Sequence, residues 1–222
     1  MRLSELEFGS LLSYTPRGDS PEEKYSRDVM ACLKKDGFVR KNGSVQGRPI
    51  LISEWVAHTI QQNRTELPFA AFFQPTTVLV PTPKSSLMKP HTLWVPDRLA
   101  AALVGRGLGK EVARCLKRSQ SVPKAAFSAA EDRPLPDRHY KSMKVQGRLF
   151  EPDEILLVDD VITRGATLLG AANRLIDVFP KAHIRAFAAM RTISSPDDFE
   201  NVYHPVVGTI KLRELGDTLR RP

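Results

Sequence analysis

Four apolar residues, Ile155 to Val158, run straight into Asp159-Asp160 and then Val161-Ile162-Thr163-Arg164-Gly165-Ala166-Thr167-Leu168. This stretch constrains the chain more than any other. Glu154 to Val158 is too short and too apolar for a surface helix and reads as a buried strand. The chain beyond the acids, to about Phe179, carries Leu168, Ala172, Leu175, Ile176 and Phe179 at helical spacing. A strand that delivers two acids and passes through a glycine turn into a helix is the usual ligand edge of an open α/β sheet.

The surrounding chain fits that reading. Thr76 to Val80 reads as a second buried strand, closed by Pro81-Thr82-Pro83, and a helix is expected from about Pro96 to Gly105. Glu111 to Arg118 reads as a strand, Ala182 to Met190 as another, and Val206 to Ile210 as a last one. Ser119 to Arg148 has turns, cations and little apolar periodicity, and is expected to be one long mobile loop. Near the start, Ser20-Pro21-Glu22-Glu23 has the form of a capping box and opens a helix ending by Gly37; Pro49 to Gln62 reads as a second helix. The expected fold class is therefore α/β: a parallel central sheet flanked by helices. Residues 1–70 form an N-terminal extension or hood, and residues 71–222 a core with a C-terminal tail.

Three chemistries compete for the acid segment. The acids could cap a helix, although capping alone does not call for two acids, two threonines and a glycine in this order. They could be the acid pair of a phosphoacceptor receiver domain, but too little chain follows Asp160 to complete one. The third is a site for ribose 5-phosphate, in which a helix N-terminus takes the phosphate and the carboxylates face sugar hydroxyls.

The same segment closely resembles the signature of type I phosphoribosyltransferases: an apolar run, two acids, a variable pair, then threonine, glycine and threonine. A weaker likeness extends from about Val78 to Arg191. Within that superfamily the chain looks most like the competence-associated ComF-like group, through Val80-Pro81-Thr82-Pro83 and Leu116-Lys117-Arg118. It departs from that group in three respects. Cys32 and Cys115 cannot build a four-cysteine zinc module, Leu93 to Asp97 replaces the group's Arg-Gly-Phe-Asn-Gln run, and Arg164 stands where many members have threonine.

The resemblance implies a phosphoribosyltransferase, a pentosyl-transferring enzyme of nucleotide metabolism that binds phosphoribosyl diphosphate with magnesium and passes the phosphoribosyl group to a nitrogenous, nucleobase-like acceptor. Asp159 and Asp160 would hold the ribose hydroxyls as catalytic residues, and Thr163, Arg164, Gly165, Ala166 and Thr167 would cradle the 5-phosphate. Lys84 and Ser85, beside Ser86, stand where the family has its diphosphate loop; an exposed lysine in a polar turn is the plain alternative. Lys117 and Arg118 would meet diphosphate at the mouth of the basic loop, which would close over it as a lid. Magnesium would sit largely on substrate oxygens, with no dedicated protein metal site. The acceptor would bind under a hood built from residues 1–70 and the tail after Arg191. Trp55, Phe72, Phe73 and Tyr203 could stack on it or belong to the core.

Charge is unevenly spread. The segment Arg106 to Arg148 holds eleven Lys or Arg against four acids, so it carries +7 of the chain's +8. Such a segment attracts a phosphorylated small molecule or a nucleic acid. This leaves an alternative function, a non-catalytic sensor of phosphoribosyl diphosphate or nucleotides, or a DNA-handling protein. No apolar run approaches a membrane span and no secretory signal is visible in residues 1–20, so the expected location is cytoplasmic without a membrane partner. A homodimer is kept as an open expectation.

Overall fold

The computed structural model describes residues 2–40, 48–123, 134–147 and 151–222. The chain opens with β1 (Glu5–Tyr14), α1 (Pro21–Lys34), β2 (Phe38–Arg40), β3 (Pro49–Leu51) and α2 (Ile52–Gln62). Next come β4 (Val78–Pro81), α3 (Val95–Gly105), β5 (Glu111–Val112), β6 (Leu116–Arg118), α4 (Pro136–Lys141) and β7 (Met143–Val145). The last part holds β8 (Glu154–Ile162), α5 (Ala166–Val178), β9 (His183–Thr192), β10 (Tyr203–Leu212) and β11 (Thr218–Arg221).

Seven strands form one sheet in the order β11-β10-β1-β9-β8-β4-β5. The run from β1 to β5 is parallel, with Leu157 opposite Ala186 on β9 and Val80 on β4. Strands β10 and β11 are antiparallel additions beyond β1. The expected α/β sheet flanked by helices is present, with this antiparallel border that the sequence did not suggest.

Alternate residues of β8 feed two cores. Ile155 and Leu157 pack on one face with Leu168, Leu169, Ala172 and Leu175 of α5. Leu156 and Val158 pack on the other with Val56 and Ile60 of α2, Leu99 and Leu103 of α3, and a cluster of Phe69, Phe73 and Phe187. Phe69 and Phe187 lie 5.5 Å apart between centroids, and Phe73 meets Phe187 edge-on at 5.3 Å. Both faces are covered, as a parallel sheet requires.

The expected capping box is formed: the Glu23 amide donates to Ser20 Oγ and the Ser20 amide to Glu23 Oε2. Three local readings are corrected. The expected helix at Pro49 starts only at Ile52, because Pro49–Leu51 pairs with β2 as a short hairpin. Glu111 to Arg118 is two strands in two sheets: β5 borders the main sheet, while β6 pairs with β7 in a separate ribbon. The expected 119–148 loop contains α4 and β7, so its described part is folded; 124–133 and 148–150 lie outside the described residues. Strand β1 was not foreseen. It lies inside the sheet, between β10 and β9.

Among the described residues, no helix is long and apolar enough to cross a membrane. Cys115 is buried in the core, and burial pushes its thiol up to about 11.

Candidate functional site

The chain leaves β4 in one direction, through α3 to β5, and leaves β8 in the other, through α5 to β9. Their carboxyl ends therefore flank a topological switch point, where connections diverge and a crevice opens. Two loops meet there. One carries Thr82 to Ser85 out of β4, and the other carries Thr163 to Gly165 out of β8. A backbone bond from Thr82 N to the Val158 carbonyl, 2.9 Å, ties the first loop to strand β8 just before the acid pair. Trp94 Nε1 donates to the Thr82 carbonyl at 2.7 Å and pins that loop from the other side.

Asp159 and Asp160 both lie near the end of β8 and are half-buried. Asp159 Oδ1 accepts from the Asp160 amide at 2.9 Å, and the Thr82 side chain hydrogen-bonds the same carboxyl. Burial, then the neighbouring Asp160, raise Asp159 well above the usual carboxylate range, to about 7. Lys34 at the end of α1 works against that rise. Its Nζ contacts both Asp160 oxygens at 2.9 Å. Burial lowers the lysine, Asp160 and Asp159 outweigh burial, and the net shift is upward, so Lys34 is charged. Sequence reading missed Lys34. The pairing partners are 126 residues apart, and the only signal was a lysine at the end of a helix assigned to the hood.

Gly165 shapes the second loop. It has φ +85°, and a Cβ there would lie 2.7 Å from Ile210, so both conformation and space require glycine. It caps α5, whose first turn has no side-chain cap. Ala166 and Thr167 occupy that first turn and are half-buried, as is Arg164, while Thr163 is exposed. Thr163 Oγ1 lies 3.3 Å from Thr192 Oγ1 on β9. Arg220 on β11 straps the loop from outside, donating through Nε to the Thr163 carbonyl at 2.7 Å and through Nη2 to the Thr192 carbonyl at 2.5 Å. Burial lowers Arg220 to about 10, and Arg191 adds to the shift, so it keeps its charge at neutral pH. Arg220 is a second residue the sequence did not single out; it lies in the tail after Arg191.

Structure separates the expected cations. Lys84 and Ser85 are half-buried on the β4 loop, Lys117 is exposed, and Arg118 is 6% exposed. Arg118 spends its guanidinium on protein acceptors: the Lys84 carbonyl (3.0 Å), Ser142 Oγ, the His139 carbonyl and His139 Nδ1 (2.9 Å). Much of the surrounding positive charge is also matched by acids. Arg114 pairs with Asp97, Arg106 with Glu54 and Lys141 with Asp137. Phe72 and Phe73 are buried in the core, whereas Tyr203 is exposed. Lys124, Arg133 and Arg148 of the expected lid lie outside the described residues.

The crevice thus combines a half-buried acid pair with a tight turn into a helix that has no side-chain cap, suited to a sugar's hydroxyls beside its phosphate. No family model matches the chain. Among curated proteins it is similar to the orotate phosphoribosyltransferase of Lactobacillus johnsonii, 36% identical over 69 residues. That match spans 31% of this chain and 32% of the relative, so the likeness reaches about a third of either protein and is to a phosphoribosyltransferase.

Proposed function

We propose that this chain binds phosphoribosyl diphosphate with magnesium and transfers its phosphoribosyl group to a nitrogenous, nucleobase-like acceptor. The observation that carries the reading is the placement of Asp159, Asp160 and the positive-φ turn at Gly165 around one switch-point crevice. The partial likeness to an orotate phosphoribosyltransferase supports the same class of reaction. The narrower likeness to the ComF-like group rests on the quoted residues alone.

In this reading the first turn of α5, with Thr163 to Thr167, takes the 5-phosphate. Asp159 and Asp160 accept hydrogen bonds from the ribose 2- and 3-hydroxyls, and substrate entry displaces Lys34 from Asp160. The C1–oxygen bond to diphosphate then breaks while a C1–nitrogen bond forms. Positive charge on the ribose is stabilised by the nearby carboxylates, and the rest of catalysis is positioning. Lys84, Ser85 and Lys117 would meet the departing diphosphate.

Among the described residues, no group of three or more His, Cys, Asp or Glu is placed to hold a metal. Two adjacent carboxylates are hard oxygen donors, and magnesium is commonly held by one or two carboxylates plus substrate phosphates. The residues therefore fit a metal that arrives with the substrate and supplies charge neutralisation for the leaving group.

Calorimetric titration of phosphoribosyl diphosphate, with and without magnesium, tests the binding. A diphosphate-release screen over nucleobases tests the transfer. Saturable, magnesium-dependent binding with release in the presence of one acceptor is expected. Binding without release across the screen would favour the sensing alternative, and no binding would overturn both.

A further inference from the structure

We propose that Arg118 and His139 form a buried relay that fixes the Thr167 hydroxyl as a hydrogen-bond donor toward a phosphate at the start of α5. This deepens the ribosyl-site reading above and rests on it. His139 lies on α4, outside the acid segment and 28 residues before Thr167.

Hydrogen-bond polarity follows from the residue types. A guanidinium has only donors, so the 2.9 Å contact between Arg118 Nη2 and His139 Nδ1 makes Nδ1 the acceptor. The ring is 5% exposed. Burial first, then the charges of Arg118 and Arg138, depress it to about 3, so it is neutral at physiological pH. A neutral ring with a bare Nδ1 carries its proton on Nε2. That nitrogen lies 3.4 Å from Thr167 Oγ1, so the hydroxyl oxygen accepts and its own hydrogen is left to point elsewhere.

A threonine in a helix often donates back to the carbonyl four residues earlier. Here that residue, Thr163, precedes the helix, which begins at Ala166, so α5 itself supplies no carbonyl at that position; the Thr163 carbonyl accepts from Arg220 Nε at 2.7 Å instead. With its oxygen occupied by His139 and no helical carbonyl four residues back, the Thr167 hydroxyl has its hydrogen to offer to an anion at the start of α5. Local packing makes the relay possible. Gly170 on α5 lies so close to α4 that a Cβ would sit 2.6 Å from the Pro136 carbonyl and 2.7 Å from His139 Cβ. The same guanidinium also binds the Lys84 carbonyl, so one buried cation ties the β4 loop to the first turn of α5.

The test combines two readouts. Nitrogen-15 NMR of the free protein should show His139 neutral with Nδ1 bare and Nε2 protonated, unchanged down to about pH 5; a protonated Nδ1 overturns the relay whatever binds. Titration of phosphoribosyl diphosphate should show His139→Leu and Thr167→Val each weakening binding roughly tenfold, as for one lost bond to a charged group. The double variant should lose no more than either single one, and His139→Gln, which can accept from Arg118 and donate to Thr167, should restore most of the affinity. Wild-type affinity in His139→Leu, or additive losses in the double variant, would overturn the relay while leaving the ribosyl site standing. If the wild type itself fails to bind, the ribosyl reading falls, and with it the phosphate end of the relay.

Discussion

Two charged clusters lie at the carboxyl edge of the sheet, and they differ in how their charges are met. Arg118 is enclosed by four protein acceptors. Asp160 is held from outside by Lys34, a flexible side chain that a substrate hydroxyl could replace. Asp159 is raised by burial and by its neighbour, so part of its need for a partner is unmet. A charge satisfied by its own fold is structural; a charge held by one exchangeable partner is available for binding. In the sequence both clusters read as facing a ligand, the acids toward ribose hydroxyls and Arg118 toward diphosphate.

The largest effect should come from the acid pair. Asp159→Asn combined with Asp160→Asn removes two charge-assisted acceptors and should weaken phosphoribosyl diphosphate binding by about a hundredfold or more. Circular dichroism should be unchanged. Binding equal to wild type would make the acids structural and erase the distinction.

Arg118→Met should cost about 3 kcal/mol of stability in denaturant unfolding, because Ser142, His139 and the Lys84 carbonyl all lose a buried partner. Lys117→Met, one residue away but exposed, should stay within about 0.5 kcal/mol. Equal stability losses would show that burial of Arg118 does not set it apart.

Gly165→Ala tests the turn. A side chain at φ +85° in contact with Ile210 should lower stability by roughly 1–2 kcal/mol and weaken ligand binding as well. An unchanged melting temperature would mean that the loop relaxes freely.

The smallest effect is in pH dependence. Asp159 holds its proton more tightly in the fold than in the unfolded chain. Its contribution to stability is therefore fully present below about pH 4 and is lost as pH rises through about 7. Asp159→Asn should remove that decline, gaining on wild type by about 1 kcal/mol between pH 5 and pH 8 after solvent screening. Lys34→Met should steepen the decline, since the lysine opposes the rise. Parallel stability curves for all three proteins would remove Asp159 as the source.

How far these regions were legible depends on what holds them. β8 and α5 announced themselves because apolar burial writes a periodic signal, and glycine at a positive-φ turn has few substitutes. α4 did not. It has six residues and docks through polar contacts, with the Tyr140 carbonyl accepting from Arg174 and His139 accepting from Arg118, and no apolar period records such bonds. β1 was hidden for the opposite reason. It is buried on both faces, Gly9 and the buried Ser10 interrupt its apolar pattern, and its register shifts between Ser10 and Leu12. Lys34 and Arg220 reach the site from distant parts of the chain, so only the fold brings them to it.

The position of β1 also bears on how the molecule is assembled during synthesis. Its two neighbours in the sheet are β9 and β10, so residues 5–14 leave the ribosome early and wait for residues 183–212 before they can pair. Until then an apolar segment has no strand beside it. Pairing over so large a sequence separation is slow and leaves edges exposed to other chains. The newborn protein should therefore depend on chaperones most in the interval before residues 183–212 emerge.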